Sequence, residues 1–168
     1  KKLLKNISGI PMIVRVAQTA KSFGYKNVLV ATDSREIFYL CEKNNINVLM
    51  SKEIHKSGTD RVYEAYVQQK KKFDIIINLQ GDLPIFGKKL LDCLVNLFED
   101  KKVDLGTAVC NLEPEEIKDK NIVKAKVIFD GKIGNAVDFK RSISSIKDYF
   151  HHIGVYAFRP EKLKEFVN

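Results

Sequence analysis

Short apolar runs alternate with helical periodicities along this chain, which predicts a largely parallel sheet covered by helices on both faces. Gly9-Ile10-Pro11 introduces a helix that carries Met12, Ile13, Val16 and Ala20 on one side, with Pro11 in its first turn. Gly24 closes that helix, and Val28-Leu29-Val30-Ala31 reads as a buried strand. Thr32-Asp33-Ser34 then offers caps for a helix bearing Ile37, Leu40 and Cys41. Asn47 to Met50 forms a short strand, a polar loop runs through His55, and Ser57-Gly58-Thr59-Asp60 caps a helix with Val62, Ala65 and Tyr66. The run 75–79 is a strand, followed by a helix over 86–99 with Leu90, Leu91, Leu94 and Leu97 inward.

The last third changes its period. Residues 104–111 alternate as a strand, and 123–129 and 135–139 flank the hairpin signal Asp130-Gly131-Lys132. Residues 151–158 form another apolar, aromatic strand, and Pro160 starts a final helix. These later strands extend the parallel sheet in antiparallel fashion. With no repeat, low-complexity tract or linker in its 168 residues, the chain reads as a single domain over 1–168. It starts at Lys1 without methionine and stops at Asn168 inside a helical pattern, so that domain reads as incomplete at both ends.

Composition narrows the class. Hydrophobic residues make up 45% and charged residues 30%, as in a soluble globular protein. No run nears the ~20 apolar residues of a membrane span, and no signal segment precedes the pattern. Cys41, Cys93 and Cys110 are odd in number and far apart, among apolar neighbours. They read as buried structural thiols in a reducing cytoplasm, with neither zinc nor a disulfide framework. The net charge of +8 favours polyanions in general, but the lysines are scattered and no nucleic-acid motif accompanies them. Lys70-Lys71-Lys72 suits a helix C-terminus.

The run Ile75-Ile76-Ile77-Asn78-Leu79-Gln80-Gly81-Asp82-Leu83-Pro84 delivers one carboxylate to the carboxyl end of a strand. In open α/β sheets ligands bind outside those ends. Asp82 reads equally as a magnesium ligand, since that ion needs few protein carboxylates beside phosphate and water, or as a turn-capping acid. Gly81 would permit close approach of a ligand to the backbone. Ser57, Thr59 and Arg61 could hold a ribose or a base edge, although a capping loop with an arginine ion pair accounts for the same pattern. His152, Gly154 and Tyr156 share one side of a regular strand and could meet a sugar; core packing with satisfied polar tips fits equally simple logic. His151 would face the other way into solvent, and His55 has no partner visible in the sequence. Lys2 could reach phosphate or stand solvated.

Six segments occur in order: Gly9-x-Pro11-Met12-Ile13, Ala31-Thr32-Asp33, Ser57-Gly58-Thr59-Asp60-Arg61, Asn78-x-Gln80-Gly81-Asp82-x-Pro84, Asn121-x-Val123-Lys124 and the stretch from His152 to Arg159. Together they resemble the 3-deoxy-manno-octulosonate (Kdo) cytidylyltransferases over nearly the whole chain. The resemblance implies a three-layer α/β/α, Rossmann-like fold of the nucleotide-diphospho-sugar transferase type with a mixed, mostly parallel sheet. It implies a bacterial, cytoplasmic homodimer that uses Mg2+ to transfer CMP from CTP to Kdo, releasing pyrophosphate, for lipopolysaccharide biosynthesis. Membranes and nucleic acids are not expected partners. Position by position, it makes Asp82 the metal ligand, Lys2 a phosphate-binding cation, and Ser57, Thr59 and Arg61 part of the nucleotide pocket. Gln80, Arg141, His152 and Tyr156 become sugar-site residues, with Arg141 on the carboxylate.

Departures from the family pattern are visible too. Leu83 replaces a glutamate, Leu3 a proline and Ile10 a lysine, while the family's first strand with its arginine loop and its second metal-binding aspartate are not in these residues. Little or no turnover by this polypeptide is therefore expected. The alternatives are another sugar nucleotidyltransferase, of the CMP-sialic acid or hexose-phosphate type, and a non-catalytic nucleotide-binding remnant.

Overall fold

A computed structural model describes residues 2–52 and 55–167. Two compact units emerge: residues 1–106 with 155–168, and residues 107–154.

The larger unit begins with a 3₁₀ turn at Lys2–Leu4 and a two-residue ribbon, β1 (Asn6–Ile7) against β2 (Ile10–Pro11). Ser8 and Gly9 make that turn with positive φ, 49° and 80°. Pro11 is the last extended residue and the N-cap of α1 (Met12–Ser22), so the helix starts one residue later than the sequence pattern suggests. Strand β3 (Val30–Thr32) pairs in parallel with β4 (Val48–Met50), and α2 (Arg35–Lys43) joins them as a crossover. Ser34 caps α2, as expected, by accepting from the Ile37 amide. The apolar faces of α1 and α2 meet these strands in one core of Ile13, Val14, Ala17, Val30, Ile37, Cys41 and Ile46. Burial of the Cys41 thiol pushes its pKa up to about 11, which leaves it inert.

Helix α3 (Gly58–Gln68) packs on α5 (Pro160–Val167) and touches both β3 and β5 (Ile76–Leu79). Helix α4 (Lys88–Asn96) buries Leu91 and Leu94 and passes into a 3₁₀ turn at Leu97–Glu99, so the helix expected over 86–99 is shorter and tightens at its end. Cys93 lies off that buried stripe and is exposed. The last four residues of β9 (Tyr149–Phe158) pair antiparallel with β5, Ile76 opposite Phe158 and Leu79 opposite Val155.

Within 107–154, β7 (Lys124–Asp130) and β8 (Ile133–Lys140) form the expected hairpin around Gly131, whose φ is 65°. Its register shifts between Lys126 and Val127, a bulge the sequence does not announce. The first residues of β9 pair antiparallel with β7, Lys124 opposite His151. Strand β6 (Leu105–Cys110) also pairs with β9, and Cys110 lies exposed at its end. Thus only Cys41 of the three thiols is buried as predicted.

The mixed α/β class stands, with β3 and β4 pairing in parallel and β1–β2, β5–β9, β7–β8 and β7–β9 pairing antiparallel. The balance reflects β9, whose direction opposes both β5 and β7.

The hairpin is tightly fitted at one glycine. A Cβ on Gly134 would lie 2.7 Å from Val127 Cγ1 and 2.8 Å from the Ile128 carbonyl oxygen. Gly134→Ala should therefore cost about 1–3 kcal/mol, read as a lower urea midpoint; an unchanged midpoint would contradict this packing.

Candidate functional site

The larger unit gathers its candidate residues through β5 and the start of α3. Asn78, only 3% exposed, donates from its amide to Thr59 Oγ1 at 3.1 Å. Gln80 donates in turn to Asn78 Oδ1 at 3.3 Å, and its amide lies against Gly58. This relay joins the Gln-Gly-Asp end of the strand to the Ser-Gly-Thr-Asp-Arg start of the helix. Each buried polar group in it has a partner, as burial requires.

Ser57 works first as a cap. Its hydroxyl accepts from the Asp60 amide at 3.2 Å, and Asp60 returns a bond to the Ser57 amide at 2.9 Å, completing a capping box. Arg61, one turn inside, donates from Nη2 to Asp33 at 2.8 Å, which ties α3 to the end of β3. Its Nε is buried and lacks a protein acceptor. Such a donor calls for an explanation, and a ligand acceptor is one. The ion pair that a capping loop would make is thus present, and the same side chain keeps one buried donor in hand.

Two residues of this region were missed by sequence reasoning. His55 does have a partner: its Nε2 meets Glu64 at 2.5 Å, and Glu64 also accepts from the Lys52 amide at 2.7 Å and from Gln68 at 2.5 Å. Glu64 thereby clamps the chain on either side of residues 53 and 54, which lie outside the described residues. The spacing of nine residues between His55 and Glu64 matches no helical or strand period, so only the fold reveals the pair.

Asp82 follows β5 with its carboxylate 43% exposed and 2.7 Å from Lys2 Nζ. Lys2 thus stands at the acid, not free in solvent. Gly81 also meets protein side chains: a Cβ there would come 2.9 Å from Ile13 Cδ1 and 3.4 Å from Leu3. The side chains of α1 and the first turn therefore crowd this position from within the protein. Tyr156 stands opposite Asn78 in the β5–β9 register, and burial raises its phenol pKa.

In 107–154, His152 is 8% exposed, its Nε2 lies 2.9 Å from Thr107 Oγ1, and the Phe139 ring meets it edge-on at 5.2 Å. Burial first, and the neighbouring His151 second, lower its pKa below 6.5. His151 is not simply solvated, because its Nδ1 pairs with Glu116 at 2.9 Å. Arg141 donates from Nη1 to the Lys120 carbonyl at 2.9 Å. Lys2, Asp82, Ser57, Thr59, Arg61, Gln80 and Tyr156 belong to the larger unit, and Arg141 and His152 to the smaller.

A cytidylyltransferase family profile matches residues 1–168. The chain belongs to the cytidylyltransferase family. It is 36% identical to the 3-deoxy-manno-octulosonate cytidylyltransferase of Brucella anthropi, over 99% of this chain and 70% of that protein. The enzyme of the same name from Koribacter versatilis is 37% identical, again over 99% of this chain but 64% of its own length. Among solved structures, CMP:2-keto-3-deoxy-manno-octonic acid synthetase complexed with CTP superposes with a TM-score of 0.83 at 31% identity, covering 98% of this chain and 70% of that one. A Leptospira borgpetersenii cytidylyltransferase, 16% identical with a TM-score of 0.60, shares the fold. The family and its Rossmann-like nucleotidyltransferase fold are thus those expected.

The donor set can be weighed against a metal. No group of three or more His, Cys, Asp or Glu side chains suited to a metal occurs among the described residues. Asp82 supplies one half-exposed carboxylate. That fits magnesium, which keeps water and takes phosphate oxygens, and does not fit an ion needing an all-protein cage.

His152 provides a pH signature. Its native imidazole binds a proton more weakly than the unfolded one. Below about pH 6.5 the unfolded chain takes up a proton that the native state refuses, so the stability held above that pH falls as pH drops. NMR titration should place the His152 midpoint below 6.5, and His152→Gln should flatten the loss of stability between about pH 7 and 5; a midpoint above 6.5 would refute the burial argument.

Proposed function

We propose that this cytidylyltransferase transfers CMP from CTP to 3-deoxy-manno-octulosonate, giving CMP-Kdo and pyrophosphate for lipopolysaccharide biosynthesis. The observation that carries this reading is the 0.83 TM-score match to a CTP-bound synthetase for that sugar acid, joined to full-length family coverage. The anomeric hydroxyl of Kdo attacks the α-phosphorus of CTP and loses its proton. One P–O bond forms, the bond to the bridging oxygen breaks, and pyrophosphate leaves.

The chain's own residues supply binding and charge. Arg61, with its buried Nε lacking a protein acceptor, and Thr59, held by Asn78, serve the nucleotide, with Ser57 setting the helix start. Lys2 places a cation beside Asp82, where phosphate charge would be compensated. Asp82 would hold Mg2+, which when bound neutralises phosphate charge. Gln80 and Tyr156 serve the sugar from the larger unit. In the smaller, Arg141 offers a guanidinium for the sugar acid's carboxylate, and His152, neutral at pH 7, offers a hydrogen bond without a competing charge. No described helix is long and apolar enough to cross a membrane; a cytoplasmic location is part of the same proposal.

A panel of nucleotides and sugars tests the reaction. CTP with Kdo and Mg2+ should give CMP-Kdo and pyrophosphate in equal amounts, at the low turnover that Leu83, Leu3 and Ile10 lead one to expect, and Asp82→Asn should lower that rate further, to background. Selective binding and use of UTP with a hexose phosphate would instead identify the other nucleotidyltransferase type. Binding of nucleotide with no transfer to any sugar would identify the non-catalytic remnant.

A homodimer joined through the β7–β8 hairpin belongs to the same proposal. Ile128, Ile133, Val137 and Phe139 are large apolar side chains left 63%, 59%, 54% and 48% exposed on this hairpin. Contiguous apolar surface of this kind favours association. Sedimentation should show a dimer that Ile133→Asp with Val137→Asp converts to a folded monomer; a parent that sediments as a monomer at tens of micromolar would refute it.

A further inference from the structure

The most deeply buried charge in residues 107–154 lies outside the site residues named so far. Lys124 opens β7 with 0% exposure. Its ammonium donates to the backbone carbonyls of Asp119 at 2.5 Å, Ile122 at 3.1 Å and Arg141 at 3.0 Å. An ammonium has three protons, so this set uses them all. The partners are neutral carbonyls, and burying a charge among neutral groups is a poor way to gain stability when an apolar isostere would do as well. Its distinctive contribution is placement.

What it places is specific. Asp119 and Ile122 bound a loop that Asp119 Oδ1 also braces, accepting from the Asn121 amide at 2.8 Å and side chain at 3.0 Å. Between them, the Lys120 carbonyl accepts from the Arg141 guanidinium at 2.9 Å. Lys124 therefore holds the Arg141 backbone and also holds both sides of the carbonyl on which that side chain rests. The preceding residue acts on the other candidate, since the Val123 carbonyl accepts from the His152 amide at 2.9 Å.

We propose that Lys124 is a positioning residue for the sugar acid: its ammonium fixes Arg141, backbone and guanidinium together, in the pose that receives the carboxylate, without touching the ligand. This rests on the reading of Arg141 given above.

The test titrates Kdo and, separately, CTP into the full chain and its Lys124→Met, Lys124→Gln and Arg141→Ala variants by calorimetry or NMR, with unfolding curves for each. Lys124→Met should weaken Kdo binding roughly ten-fold or more while CTP affinity stays within about two-fold, and Arg141→Ala should weaken Kdo binding at least as much. Amide exchange at Arg141 and across 119–122 should quicken in Lys124→Met with the rest of the hairpin protected. If Lys124→Met does not fold, Lys124→Gln is held to the same criteria; failure of both to fold assigns the lysine to folding and overturns the proposal. Parent-like Kdo binding in Lys124→Met beside a defective Arg141→Ala overturns it while sparing the reading of Arg141, as does equal loss of both ligands. Parent-like binding in Arg141→Ala, or no Kdo binding by the parent, removes that reading and this proposal with it.

Discussion

The larger unit's candidate site depends on one buried amide. Asn78 sits 3% exposed in β5, where an unsatisfied amide would cost on the order of 1–3 kcal/mol, and its donor bond goes to Thr59 at the start of α3. That bond sets the helix start against the strand end. The neighbouring candidates are arranged around it: Gln80 reaches back to Asn78, Asp82 stands in the turn beyond the strand, and Arg61 lies one turn into the helix. Because the amide is out of water, its geometry is less negotiable than that of a surface bond.

Around this contact the ion pairs have different characters. Arg61 and Asp33 join two elements with the arginine side chain 24% exposed, so the pair restricts a side chain that still has one buried N–H unspent. Lys2 and Asp82 are far more exposed, 67% and 43%, and water screens them. Such a pair contributes little to folding and is easily rearranged by an incoming phosphate. Rigid placement of Arg61 beside adaptable placement of Lys2 suits a pocket that fixes a nucleoside and accommodates a charged triphosphate.

Much of this was readable from the sequence because it is local. The Ser57–Asp60 box, the Ser34 cap, the Gly131 turn and the amphipathic face of α1 each follow from residues within one or two turns. Asp82 at a strand end was readable for the same reason. What escaped was long-range: His55 with Glu64, Arg61 with Asp33, Thr107 with His152 and the carbonyl cage of Lys124. Gly81 is the instructive case, because the sequence shows that something can come close but not that the side chains of Ile13 and Leu3 do.

The smaller unit shows how a polar site can be built without a polar surround. Burial lowers the His152 pKa below 6.5, Thr107 lies in hydrogen-bonding reach of its Nε2, and Phe139 closes over its edge. A positive group nearby disfavours the imidazolium and so acts in the same direction as burial. The neighbouring polar groups have partners of their own: His151 faces Glu116, which the Glu113 amide and then His151 hold below the usual carboxylate range, and the Lys124 ammonium is enclosed by carbonyls. The β7–β9 register puts Lys124 opposite His151, while His152 is the next residue along β9 and so points to the other face of the sheet. Alternation along one strand thus separates a charged, self-satisfied face from one that holds a neutral donor–acceptor, and the same alternation explains why two adjacent histidines have different chemistry.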